Sequence, residues 1–238
     1  MRAARLVPIG LMFLGLAALA FAAAKEKAAQ GDRWWTTPDI KNYPVASIAM
    51  LPPATYDGNV DSRKQVELAV GQALKGSGHR WVSPFLVRDD IVKNGGDSLA
   101  KALNDKILKD PRLDSLDAPR MSRLFHARAL LTVRVDEMER RELEADQSGR
   151  PTTSIRLRAA LVDSTGRLLW TMDSNETMEG PPQDANANII GMKVSGLNNT
   201  PVGNISAAPA YPEVLSKMCA RWTDVFPKRA APDSSGSK

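Results

Sequence analysis

Reactive side chains are scarce in this sequence, which has one cysteine and two histidines in 238 residues and only 5% aromatic residues. The single Cys219 can form no intramolecular disulfide, so an oxidising compartment is permitted but not exploited. No His-x-x-x-His or Cys-x-x-Cys pair is present, which removes the usual frames for a metal. Nucleophile-elbow, phosphate-loop and dinucleotide glycine patterns are absent as well. Gly76-Ser77-Gly78 and Gly95-Gly96 read as helix ends. The sequence therefore predicts no cofactor and no metal. It also lacks a decisive excess of charge. Its formal net charge is +5, and without Arg2 and Arg5 it has 30 basic against 27 acidic side chains, too even a mixture for nucleic acid.

What is present first is an export signal. Arg2 and Arg5 precede an apolar run over residues 6–21, and small residues follow up to Ala24. This is the layout of a secretory signal peptide over residues 1–24, with small-x-small cleavage sites after Ala20, Ala22 and Ala24. It predicts a periplasmic protein. The competing reading is a membrane anchor left uncleaved, since residues 6–24 approach the ~20 that span a bilayer. Pro8 and the Ala/Gly-rich second half argue against it. No cysteine follows the run to accept a lipid. Roughly 210 residues remain, enough for one good core.

Periodicity then predicts an α/β fold: a mixed sheet with a parallel βαβ half, an antiparallel meander, and helices packed on the sheet. Residues 25–43 read as a leading arm, polar, interrupted by Pro38, and carrying Trp34-Trp35 without any period. Residues 44–227 read as one domain. Its first strand is the apolar run 45–51, stopped by Pro52-Pro53. A helix is predicted from Ser62, where Ser62-x-x-Gln65 fits a capping box and Val66, Val70, Ala73 and Leu74 share a face. A strand over 80–83 completes the βαβ unit. Short helices follow over 86–92, from Asp97 or Ser98 to Pro111, and from a cap at Asp117. The period then changes to two over 129–138 and 153–162, and Asp163-Ser164-Thr165-Gly166 turns into a third strand at 168–172. Residues 179–209 show no period and read as a long loop. Leu215, Met218, Cys219, Trp222, Val225 and Phe226 form the stripe of a last helix over 212–226, before a Ser/Pro/Lys tail at 228–238.

No catalytic constellation emerges. His79 and His126 fall where helices give way to strands, which suits solvated or capping rings. Asp89-Asp90 and the series Asp136, Glu137, Glu139, Glu142, Glu144 supply paired carboxylates, the material of glycosidic chemistry. The second series alternates with Arg134, Arg140 and Arg141, as a solvated hairpin end does. Trp81, Trp170 and Trp222 sit on periodic elements and read as core. Trp34, Trp35, Ile189, Ile190, Met192 and Val194 are apolar groups in aperiodic stretches, and are the candidates for binding a partner, the alternative for the tryptophans being that the arm folds back and covers the domain core.

With these elements placed, residues 44–179 resemble a family of small bacterial envelope lipoproteins allied to CsgG and to the N-terminal domain of TolB. The resemblance lies in Ser47-Ile48-Ala49-Met50-Leu51-Pro52-Pro53, in Gly78-His79-Arg80-Trp81-Val82-Ser83-Pro84, in residues 127–135 after Leu124-Phe125, and in the hairpin 160–170 ending Gly166-Arg167-Leu168-Leu169-Trp170. The lipid-accepting cysteine is missing, and 97–111 looks inserted. The resemblance implies an envelope protein acting through protein contacts in secretion, outer-membrane assembly or regulation of wall synthesis. Its expected partners are envelope proteins, with self-assembly into an oligomer and peripheral outer-membrane association also implied. It implies no catalytic residues. The alternative function is a carboxylate-based hydrolase or wall-modifying enzyme.

Overall fold

The computed structural model describes residues 31–43, 45–144, 146–184 and 206–229. The leader therefore lies outside the described residues, as do Ile189, Ile190, Met192 and Val194. Strand β2 (Ser47–Met50) is buried along its whole length, lying parallel to both β4 (Arg80–Val82) and β5 (Ala129–Arg141). Pro52 and Pro53 lack the N–H that a central strand must donate, so pairing breaks and resumes as β3 (Ala54–Thr55), again parallel to β5. From β5 the chain runs antiparallel through β6 (Thr152–Asp163) and β7 (Leu168–Glu179). With β1 (Arg33–Thr36) at one edge, the seven-stranded mixed sheet has the order β1-β7-β6-β5-β2-β4, with β3 on the far part of β5. The fold class is α/β, as expected.

Helices cover both faces, and strand parity decides which residues meet them. Ile48 and Met50 of β2 face α1 (Val60–Leu74) and α4 (Tyr211–Val225), packing with Val66, Val70, Leu215, Met218 and Trp222. Ala49 and Leu51 face the other way, into a second core with Val87, Ile91 and Ile107 of α2 (Pro84–Lys109) and Met121 of α3 (Asp117–Leu124). A strand buried on both faces must be apolar throughout, hence the unbroken run in β2. Trp170, Trp222 and Phe226 meet edge to face, with Trp81 stacked on Phe226 and partly buried against the same core. Trp222 Nε1 donates to Ser174 Oγ at 2.8 Å.

Several local details depart from the sequence reading. Helix α1 begins at Val60, because Asn59 caps it by accepting from the N–H groups of Asp61 and Ser62; the Ser62 capping box is not used. Helix α3 is preceded by Asp114, whose Oδ1 accepts from Leu116 N and Asp117 N, so Asp117 is its first residue and not its cap. The two helices expected over 86–111 are joined through Gly95 and Gly96, and Gly96 has φ +54°. His79 is buried, its Nδ1 2.7 Å from Val45 O and its Nε2 2.8 Å from Pro227 O, so the solvated reading fits only the exposed His126.

Candidate partner-binding edge

Where the sequence predicts an aperiodic arm, Arg33–Thr36 form an outer strand, β1, antiparallel to β7. The register sets Trp34 opposite Met172 and Trp35 opposite Thr171. Residues directly opposite one another share a face. Trp34 therefore continues the α1/α4 core face past the edge of the sheet, and Trp35 lies on the other face. Both indoles are about half exposed, Trp34 at 56% and Trp35 at 44%. A four-residue strand with two large exposed side chains is an unusual end for a sheet, since edges are ordinarily blunted by charge or proline.

Three sets of contacts hold the strand in place. Thr37 N donates to Leu169 O, and the Arg167 guanidinium lies 4.2 Å over the Tyr43 ring. Arg33 pairs with Asp173 at 3.1 Å. Just before the strand, Asp32 accepts from Arg221 Nε and Nη2 at 2.6 and 3.0 Å, a bidentate clamp to α4. Arg221 also reaches Glu176 of β7 at 2.6 Å, and Lys217 pairs with the same carboxylate at 2.8 Å. Burial pushes the Glu176 carboxyl up, but the hydrogen bonds from Lys217 and Arg221 outweigh it and hold the group below its usual value.

The face bearing Trp35 is charged because α2 and α3 cover only the β4 side of it. Asp136 lies at a β-bulge in β5 and takes Arg134 at 2.5 Å and Arg158 at 2.8 Å. Asp173 takes Arg33 and, at 3.5 Å, Arg156. Four guanidiniums thus share two carboxylates. Beside them β1 walls a cleft of about 500 Å³ whose far side is Lys109–Arg112 at the end of α2. The bulge at Asp136 and the approach of Lys109 and Arg112 were not foreseeable from periodicity.

The loop predicted at 179–209 is described only at its ends. Gln183 is buried, its Nε2 donating to Glu144 O and Gln147 O and its Oε1 accepting from Ser206 N. Thr153 Oγ1 donates to Pro209 O at 2.6 Å, and Arg140 Nη2 to Ala208 O at 2.8 Å. Both ends are therefore pinned at the Glu179 end of β7, about 20 Å along the strand from Asp173, at ~3.3 Å per residue. The structure does not bring the loop ends to the Trp34-Trp35 edge.

Asp89 pairs with Lys93 at 2.6 Å. Neither Asp89, Asp90 nor Glu137 lines the cleft beside β1 or three other prominent clefts of the described residues. Among those residues, no group of three or more His, Cys, Asp or Glu side chains is arranged to hold a metal. No described helix is long and apolar enough to cross a membrane.

No protein-family model matches the sequence, and no curated protein matches it closely enough to count as a relative. Solved structures do overlap it loosely. Lipoprotein GNA1162 of Neisseria meningitidis is 20% identical with a TM-score of 0.45, covering 63% of this chain and 93% of its own. The PelC dodecamer of Paraburkholderia phytofirmans is 14% identical with a TM-score of 0.46, over 85% and 99% of the two chains. The LpoB C-terminal domain of Salmonella enterica is 12% identical with a TM-score of 0.32, over 56% and 83%. These are bacterial proteins, one of them a lipoprotein. At such identities and scores the likeness carries nothing over about function.

Proposed function

We propose that this protein is a non-catalytic component of the bacterial cell envelope, exported to the periplasm, that binds another envelope protein by adding a strand along β1. The observation that carries this is the pair of exposed indoles on an outer strand. An open edge supplies main-chain hydrogen bonds, and tryptophans are the side chains that most often anchor an interface. The cleft beside β1, with its excess of guanidinium groups, favours an extended partner segment with acidic and apolar side chains. Secretion, outer-membrane assembly and regulation of wall synthesis are the processes such a component would serve. The absence of Asp89, Asp90 and Glu137 from the described clefts favours binding over the hydrolase alternative. The test is in-cell crosslinking of the full chain with Trp34 and Trp35 both replaced by alanine. Crosslinked partner should be lost while the melting midpoint stays unchanged. A fall in stability with partner yield retained would make the indoles structural.

A further inference from the structure

At the opposite end of the strands from the β3 extension, four arginines converge on one cavity of about 770 Å³. Arg80 opens β4, Arg128 precedes β5, Arg123 lies in the last turn of α3, and Arg229 follows α4. Each is fixed by its main chain or its own turn. Arg80 N donates to Ala46 O, Arg128 N to Ser47 O, Arg229 N to Ser77 O, and Arg123 Nε to Pro119 O. Their side chains are exposed, and none has a carboxylate at ion-pair distance among the described residues. This contrasts with the β1 side of the sheet, where Arg33, Arg134, Arg156 and Arg158 are all ion-paired. No acidic residue lines the cavity. Like charges brought together without counter-charges repel, which is unfavourable unless an anion completes the set.

Two further observations point the same way. Ser122 lines the cavity, is 95% buried, and its hydroxyl finds no partner, leaving a polar group at the wall that an anion in the cavity could satisfy. His126, also on the wall, is the one non-glycine among the described residues with positive φ, at +49°, and such backbone collects at functional sites. We propose that this cavity binds the phosphoryl group of a phosphate ester. A carboxylate has two oxygens and saturates with one or two guanidiniums. A phosphoryl group offers three acceptor oxygens and more charge, matching several arginines together with the hydroxyls of Ser122 and Ser164. The cavity exceeds a bare phosphate and lies in the size range of small-molecule sites, so the group is carried on a larger body. That body is a soluble phosphate ester or a phospholipid headgroup.

The experiment is calorimetric titration of the full chain with inorganic pyrophosphate at low salt, beside co-sedimentation with phosphatidylglycerol vesicles. Saturable binding of pyrophosphate without vesicle binding supports a soluble ester. Vesicle binding supports the lipid source. In either case the double variant Arg128→Gln, Arg229→Gln should weaken binding about tenfold or more, as loss of charge-assisted hydrogen bonds does. Ser122→Ala, which alters no charge, should weaken it by a smaller but measurable factor. Absence of binding to both probes overturns the proposal, as does affinity unchanged in both variants. If pyrophosphate binds only after Asp233→Asn, the cavity serves the chain's own C-terminal acidic group and the proposal fails equally.

Discussion

Two buried side chains show what single residues contribute to this fold. His79 sits between two backbone carbonyls, those of Val45 at the entry to β2 and Pro227 beyond α4, and so ties the start of the sheet to the chain after the last helix. In His79→Ala a buried carbonyl that accepts from the ring N–H loses its donor, and an unsatisfied buried group costs about 1–3 kcal/mol. Denaturant unfolding should show a loss of about 2 kcal/mol or more. Cys219 faces α1/α4 core neighbours, and burial pushes its thiol up to about 12. The thiolate is the reactive form, so a thiol reagent at mildly alkaline pH should leave the native protein unlabelled and modify it fully once denaturant is added. The sequence placed Cys219 correctly because a helical stripe announces itself locally. It misplaced His79 because nothing near residue 79 reveals that Pro227 will lie against it.

At the scale of elements, legibility followed the same division. Helix α4, the meander and β2 were readable from period and punctuation, each being a pattern contained within its own residues. Strand β1 was not. It has four residues, and what makes it a strand is β7, more than 130 residues later. The bulge at Asp136 was invisible for a related reason: alternation predicts faces, and an inserted residue shifts them only when the partner strand is known. Of the candidate site, then, the tryptophans were legible as unexplained apolar groups, but their setting was not. Helix α2 offers a test of local reading. Gly96 has φ +54° and ψ −145°, where a side chain is strained even though a Cβ would meet nothing within 4 Å. Gly96→Ala should therefore destabilise by about 1–3 kcal/mol through the backbone alone. Gly71, within α1, has ordinary helical geometry and equally open surroundings, so Gly71→Ala should stabilise by about 0.5–1 kcal/mol. Thermal melts of the two variants should move in opposite directions.

At the scale of the whole molecule, electrostatics joins parts that packing leaves separate. The Glu176 carboxyl links β7 to Lys217 and Arg221 of α4, and through Arg221 to Asp32 ahead of β1. Although burial alone would raise it, those hydrogen bonds hold it below its usual value of 4.5. A carboxylate depressed in the folded state contributes stability that is present above the unfolded value and lost as pH falls through the folded one. Melting midpoints should accordingly decline from about pH 5 downward, a window set by that usual value. In Glu176→Gln the part of the decline owed to this group should vanish, and the midpoint near neutral pH should be lower than in the unaltered protein.

The clamp between Asp32 and Arg221 also sets an order of events. Its two halves are 189 residues apart, and β1 finds its partner strand only in the later part of the chain. A chain delivered from its N-terminus therefore presents Trp34 and Trp35 long before the edge that displays them exists. While that chain is being synthesised, the β7 edge against which Arg33–Thr36 form a strand comes late, and the Asp32 clamp closes only when Arg221 of the last helix arrives. A chain cut short before Arg221 should therefore carry the tryptophans without the clamp that secures β1 to the last helix.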